Sequence, residues 1–315
     1  MAAAIGQPAR RLLVLVGPTA VGKSAAAIEL AERLSAEIIS ADSRCLYRGM
    51  DIGTAKPSLA ERARVPHHLI DVTTPDAPWS LTDFQAAAYQ AIDAIHARGR
   101  LPLLVGGTGQ YVLAVTQGWQ VPPAGAPGPL RAELEQQLAL EGVAALAARL
   151  RQVDPASALT VDLRNPRRVI RALEVALSTG ESFVALRRKE TPPYAISRLG
   201  LTLPRPALYA RIDARLDAML AAGLVDEVRG LAARGYGWEL PAMSALGYRQ
   251  IGQYLRGECP LDEAVALIRR ATRQFVRRQA NWFKPADPAI RWFESTGAAP
   301  NAMAAYLLAG QDLIE

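Results

Sequence analysis

The chain has 315 residues, 50% hydrophobic and 21% charged, with two cysteines and three histidines. That length can bury a large core, while the sparse Cys and His leave no framework of disulfides or zinc ligands. No apolar run reaches the ~18 residues a membrane-spanning helix needs, and the net charge of +6 suits a polyanionic partner without requiring one.

The first ten residues hold no apolar stretch of signal-peptide length and read as a short disordered arm; with the cysteine usage, this fits a reducing cytoplasm. Leu12 to Val16 is a continuous apolar run ending at Gly17, the pattern of a buried parallel strand. A helix is predicted from Lys23 to Ser35, with Ala27, Leu30, Ala31 and Leu34 on one face. Glu37 to Ser40 reads as a second strand. Leu81 to Arg98 reads as a helix that Gly99 can end. Leu101 to Val105 is another buried strand, closed by Gly106 and Gly107. Leu199 to Leu203 and Ile290 to Phe293 are further strands. This alternation predicts a doubly wound α/β sheet.

The alternation stops at the Pro/Gly-rich stretch Val121 to Pro129. Helices are predicted for Leu130 to Arg151 and Pro166 to Leu177 with no strand between them. Residues 122–195 therefore read as a helical insertion domain, set between core segments 10–121 and 196–296. From Pro206 onward the pattern is nearly all helical: Pro206 to Ala222, Leu224 to Arg234, Ser244 to Leu255 and Leu261 to Phe283. The end of the chain, 297–315, is expected as a tail helix.

Gly17-Pro18-Thr19-Ala20-Val21-Gly22-Lys23-Ser24 fits G-x-x-x-x-G-K-[ST] between a strand and a helix. Such a loop turns backbone N–H groups toward phosphate oxygens, and the helix N-terminus adds positive potential. Lys23 would neutralise a phosphate, and the Ser24 hydroxyl could bind Mg²⁺. The expected fold is thus a P-loop doubly wound parallel sheet with a helical insertion and a helical C-terminal region. The motif says that a di- or triphosphate binds, not what happens to it. The strand Leu101 to Val105 ends in Gly106-Gly107-Thr108-Gly109 and lacks the terminal Asp that P-loop ATPases use to hold Mg²⁺.

Further blocks follow in order. They are Asp42-Ser43-Arg44-Cys45-Leu46-Tyr47 running to Pro57, Val65-Pro66-His67-His68-Leu69-Ile70-Asp71, Gly106 to Tyr111, Leu246-Gly247-Tyr248-Arg249-Gln250, and Ala271 to Phe283. Together with the loop they resemble the tRNA dimethylallyltransferase (isopentenyltransferase) family from about residue 11 to 294. The resemblance implies a donor, dimethylallyl diphosphate, and an acceptor, the exocyclic amine of the adenosine just 3′ of the anticodon in tRNA. Pyrophosphate leaves, so the loop grips a leaving group and no ATPase-type Asp is needed. It also implies a monomer, while Mg²⁺ as cofactor is expected from Ser24 of the loop motif.

By the same resemblance Asp42 hydrogen-bonds the adenine amine and takes its proton, and Arg215 reaches the diphosphate; Thr108, just after a glycine pair at a strand's C-terminal end where α/β sheets place ligands, is assigned to the diphosphate or the target nucleotide. Capping or turn roles remain open for Asp42 and Thr108. For Arg215, four residues from Arg211 on one helix face, a surface-charge role beside Asp213 and Asp217 is the alternative. The family places tRNA contacts at Asp42-Ser43-Arg44-Cys45, Arg167-Arg168-Val169-Ile170-Arg171, Ser244-Ala245-Leu246-Gly247-Tyr248-Arg249 and Arg277-Arg278-Gln279-Ala280-Asn281-Trp282-Phe283-Lys284. Ser244-Ala245 departs from the Arg-Cys pair that many members carry. Arg269, Arg273 and Arg277 recur every four residues and read as a cationic ridge for phosphates, with a solvated helix face as the bland alternative. Three rivals stand beside the main reading: a small-molecule P-loop kinase, a transferase acting on free adenine nucleotides, and an RNA-binding ATPase.

Overall fold

The computed structural model describes residues 10–77, 79–120 and 128–309. The expected N-terminal arm and most of the stretch Val121 to Pro129 lie outside the described residues. The strands are β1 (Arg11–Val16), β2 (Ala36–Ser40), β3 (His67–His68), β4 (Leu101–Val105), β5 (Trp119–Gln120), β6 (Arg188–Lys189), β7 (Ala195–Thr202) and β8 (Ile290–Glu294). The helices are α1 (Lys23–Leu34), α2 (Leu59–Arg64), α3 (Leu81–Ala97), α4 (Gly109–Thr116), α5 (Pro129–Val153), α6 (Pro155–Ala158), α7 (Pro166–Thr179), α8 (Phe183–Leu186), α9 (Arg205–Ala221), α10 (Leu224–Ala233), α11 (Tyr248–Leu255), α12 (Leu261–Gln279) and α13 (Ala299–Ala309).

Two compact units partition the chain. The first comprises the described parts of Met1–Trp79, Asp83–Val115 and Pro193–Glu315; the second comprises Ser80–Thr82 and Thr116–Pro192. The first is built on a six-stranded sheet in the order β3-β2-β4-β1-β7-β8, and every pairing is parallel. Leu12 to Val16 of β1 are fully buried because both edges of the strand are paired and both faces covered. β2 is buried throughout. It tolerates Glu37 because Arg98 Nη2 and His68 Nε2 each approach the carboxylate at 2.7 Å. Around β1, the apolar face of α1 packs with Leu199, Leu208, Ile212, Met303 and Leu307. A separate cluster joins Leu216, Leu224, Val228, Tyr248, Ile251 and Ile268, so α9 to α12 form a helical layer with its own core.

The second unit holds a pair of long helices, α5 and α7, and a short antiparallel pair, β5 with β6. Leu134, Leu146, Leu150, Val169, Ile170 and Leu173 make its core. α5 is not a continuous rod: Gly142 adopts φ 78° and ψ 174°, which interrupts the helix. α7 is bounded by chemistry visible in its sequence, with the Asn165 side chain accepting the Arg168 N–H and Gly180 in the left-handed region at its end.

Other expected boundaries shift for local reasons. The helix predicted from Ser244 starts at Tyr248, because Gly247 takes φ 89° and the segment before it runs in turns. The helix predicted to reach Phe283 ends at Gln279, and tighter turns carry the chain on from there. Among the described residues, no helix is long and apolar enough to cross a membrane.

Candidate active site

The candidate site forms along the C-terminal edge of the parallel sheet, where such folds present ligands. Each relevant strand delivers a different piece there. β1 runs into the phosphate loop, β2 into Asp42, β4 into Gly106 to Thr108, β7 into α9 with its arginines, and β8 into Ser295.

The loop leaves β1 at Gly17, where φ is +150° and a Cβ would stand 2.6 Å from the carbonyl oxygen of Leu201. Only glycine fits there. Ala20 and Gly22 adopt φ 64° and 98°, which curls the backbone around a concavity. α1 begins at Lys23 with no side chain capping its first turn, so those amides are left for an anion. Lys23 Nζ donates to the carbonyls of Gly17 (3.0 Å) and Pro18 (2.8 Å), which holds its charge over the concavity. Burial lowers its pKa to about 8, against the opposing pull of Asp42; Arg215 nearby lowers it further.

Asp42 therefore sits within electrostatic reach of both Lys23 and Arg215. It also stabilises its own turn, since Oδ1 accepts the Arg44 N–H at 2.8 Å. Thr108 precedes α4 and its hydroxyl accepts the Ser43 N–H at 3.2 Å, tying the turn after β4 to the turn after β2. That hydroxyl still has its own hydrogen to donate. Arg215 Nη2 donates to Thr19 Oγ1 at 2.9 Å, and Arg211 Nη1 to the Val21 carbonyl at 3.2 Å. Arg211 and Arg215 of α9 thus both face the phosphate loop. Ser295, which sequence reading missed, reinforces this wall: its hydroxyl also donates to the Val21 carbonyl.

The loop from Asp42 to Pro57 is fastened from several sides. Lys56, whose side chain is 3% exposed, donates to the Tyr47 carbonyl and pairs with Asp51 and with Asp71 at 2.6 Å. Glu227 accepts the N–H groups of Asp51 (2.8 Å), Ile52 (2.7 Å) and Gly53 (3.1 Å), and the Tyr248 hydroxyl at 2.5 Å. The Tyr248 ring lies against Gly53, where any side chain would collide with it. Burial and the Glu227 carboxylate push the Tyr248 phenol far up, so it stays a donor. None of these fastenings announces itself in the sequence, because the partners are remote along the chain.

Comparisons with known proteins agree on what this assembly is similar to. Residues 45–286 match the family described as IPP transferase, and residues 10–70 that described as isopentenyl transferase. The chain belongs to the IPP transferase family. The tRNA dimethylallyltransferase of Roseiflexus sp. (strain RS-1) is 56% identical over 273 residues, covering 87% of this chain and 90% of that one. That of Chloroflexus aurantiacus is 54% identical over 273 residues, with coverage of 87% and 92%. Among solved structures, the full-length tRNA isopentenylpyrophosphate transferase from Bacillus halodurans superposes with a TM-score of 0.71 at 40% identity, over 95% of this chain and 96% of that one. A eukaryotic dimethylallyltransferase acting on tRNA gives 0.80 at 25% identity, over 97% and 79%.

The residues that the family pattern offers to tRNA divide sharply by exposure. Arg167, Arg168, Ser244, Arg249, Arg277, Arg278, Ala280, Asn281, Trp282 and Lys284 are exposed, and Ser43, Arg44, Arg171 and Leu246 are half-buried. Cys45, Val169, Ile170, Ala245, Gly247, Tyr248, Gln279 and Phe283 are buried. These can offer a nucleic acid backbone but not side chain. Arg44 donates to the Pro241 carbonyl (2.7 Å) and to Ser244 Oγ (3.4 Å), which bridges two of the expected blocks. Arg171 pairs with Glu174 at 3.7 Å.

The cationic ridge expected on α12 is discharged over part of its length. Arg273 pairs with Asp213 at 2.7 Å and Arg269 with Asp217 at 2.6 Å, both on α9. The helix packs at this face, so the pattern of arginines alternates between structural ion pairs and solvent. Arg270, Arg277 and Arg278 are the exposed arginines of α12. Trp282 lies across Gly109, where a Cβ would stand 2.2 Å from its Cγ. The glycine makes room for the indole beside the Thr108 turn.

Proposed function

We propose that the protein transfers a dimethylallyl group from dimethylallyl diphosphate to the N6 amine of the adenosine 3′ to the anticodon of tRNA, releasing diphosphate. The observation that carries this reading is the placement of Asp42 and Thr108 beside a phosphate loop lined by Lys23 and Arg215. A diphosphate cradle beside a carboxylate suits displacement at carbon with diphosphate leaving. The family relationship to proteins named tRNA dimethylallyltransferase supports it.

The adenine amine is a weak nucleophile because its lone pair is delocalised into the ring. As the new N–C bond forms and the donor's C–O bond breaks, positive charge grows on nitrogen and negative charge on the leaving oxygens. Asp42 accepts the amine proton, and Lys23 and Arg215 neutralise the departing diphosphate with the amides of Gly22 to Ser24. The Thr108 hydroxyl, held by Ser43, donates to whichever oxygen reaches it. The target base must leave its stack to enter such a site. Exposed Arg167, Arg168, Arg277 and Arg278 supply phosphate contacts to the anticodon stem-loop.

Magnesium is part of the proposal. Among the described residues no group of three or more His, Cys, Asp and Glu side chains is placed to hold a metal ion. Ser24 is exposed at the start of α1. That donor set fits Mg²⁺, which takes most ligands from phosphate oxygens and water. Ser24 would hold it, and the ion would add charge neutralisation to the diphosphate.

The deciding experiment supplies radiolabelled dimethylallyl diphosphate and Mg²⁺ with unmodified tRNA and AMP as separate acceptors, and follows ATP turnover in parallel. Label confined to tRNA, at the adenosine beside the anticodon, is the expected result. Label on AMP, or phosphorylation of a small acceptor by ATP, would replace this reading with one of its rivals.

A further inference from the structure

We infer that Gln279 is a positioning residue for the diphosphate site rather than a contact for tRNA. The inference deepens the functional reading above and rests on it for the identity of the diphosphate.

Gln279 is the last residue of α12 and only 4% exposed, although Arg277, Arg278 and Ala280 around it are exposed. Both ends of its amide are used across the site. Oε1 accepts the Thr19 N–H of the phosphate loop at 2.8 Å, and Nε2 donates to the Gly107 carbonyl at 3.0 Å. Thr19 is the residue whose hydroxyl Arg215 grips, and Gly107 immediately precedes Thr108. One buried side chain thus sets the separation between the loop that would hold the diphosphate and the turn that carries Thr108. Lys23 Nζ also lies against this point, 3.6 Å from where a Gly107 Cβ would stand.

The chemistry explains why an amide is used. The loop side presents an N–H and the strand-end side a carbonyl, so the bridge needs an acceptor and a donor on one planar group. A carboxylate would set its charge against the Gly107 carbonyl and beside the bound diphosphate. A hydrocarbon would leave the half-buried Thr19 N–H and the buried Gly107 carbonyl without these bonds, and an unpaired buried carbonyl costs more than the bond itself contributes. Gln279 also follows directly on the exposed Arg277-Arg278 pair.

The test compares wild type with Gln279→Met and Gln279→Glu. The methionine keeps volume and removes both bonds. It should raise the KM for dimethylallyl diphosphate, and weaken inorganic pyrophosphate binding by calorimetry, by about tenfold, with tRNA affinity within about twofold of wild type. Gln279→Glu provides a second readout that does not depend on the first variant folding well. When protonated, its carboxyl can accept from Thr19 and donate to Gly107 as the amide does, and burial raises the pKa of such a carboxyl. Its activity relative to wild type should therefore recover as pH falls from about 8.5 to 6.

Weakened tRNA binding with unchanged pyrophosphate affinity in Gln279→Met would overturn the inference, as would a Gln279→Glu defect that is flat with pH. Should the wild-type protein prove not to label tRNA, the functional reading fails on its own. The pyrophosphate titrations still judge the bridge.

Discussion

Burial sets a limit on the charge of Lys23. Its half-buried ammonium rests on two carbonyls, and its pKa falls to about 8. Below that pH the free protein keeps the cation in the loop; above it the proton leaves. Diphosphate affinity should then fall by as much as about tenfold per pH unit as pH rises past 8. Calorimetric titration of pyrophosphate between about pH 7 and 9.5 measures this, with Lys23→Met reporting the ligand's own titration. The same shift has a second consequence of opposite sense. Holding a charged Lys23 costs the empty fold stability, and that cost disappears as pH climbs from about 8 toward the ordinary lysine value of 10.5. Asp42 makes a separable prediction. Asp42→Asn keeps the acceptor for the Arg44 N–H but cannot take a proton. Its kcat should drop by about 10²–10⁴-fold with tRNA affinity nearly unchanged. Single-turnover kinetics and filter binding on the same variant check both halves, and wild-type turnover would remove Asp42 as the base.

Helices α9 and α12 divide their arginines by task. Arg211 and Arg215 face the phosphate loop, while Asp213 and Asp217 on the other side of α9 neutralise Arg269 and Arg273. Replacing Arg277 and Arg278 together with alanine should weaken tRNA binding and reduce the slope of log K against log salt by about 1.5. Replacing Arg269 and Arg273 together should leave that slope near wild type. Those pairs are about one-third exposed on several of their side chains, so their loss should cost about 1 kcal/mol or less each. Filter binding across a salt series separates the two sets. The loop 51–53 offers another element-scale test. Tyr248→Phe removes the phenol from Glu227 while keeping the ring over Gly53. Loss of a hydrogen bond to a charged group should cost about 1.5–3 kcal/mol, seen as a lower denaturant midpoint with an unchanged m-value.

At the scale of the whole molecule, the sheet and phosphate loop were legible because their signals are local. Leu12 to Val16 reads as a buried strand from five consecutive residues, and the glycines and Lys23 declare the loop next to it. The positions of Asp42 and Thr108 could be read from strand ends once the sheet was expected. The fastenings could not, because Glu227 with Asp51, Lys56 with Asp71 and Gln279 with Thr19 are joined only by tertiary packing. The same limit made a ridge of Arg269, Arg273 and Arg277, whose shared spacing is visible but whose acidic partners on α9 are not. Gly142 is instructive in the other direction. A single glycine in an otherwise helical pattern passes as tolerable, yet here it interrupts α5.

The position of β1 in the sheet also shapes how the protein must be made. One edge of β1 pairs with β4, but the other waits for β7, which lies beyond the whole of the second unit in the chain, and β8 comes later still. As the polypeptide leaves the ribosome, a complete G-x-x-x-x-G-K-S loop emerges on a strand of apolar residues whose one edge has unpaired N–H and C=O groups. That edge stays open until residues 195–202 have been synthesised. A chain stalled within the second unit is therefore an aggregation hazard carrying a phosphate loop, not a half-active enzyme, and chaperone demand should fall once β7 has docked.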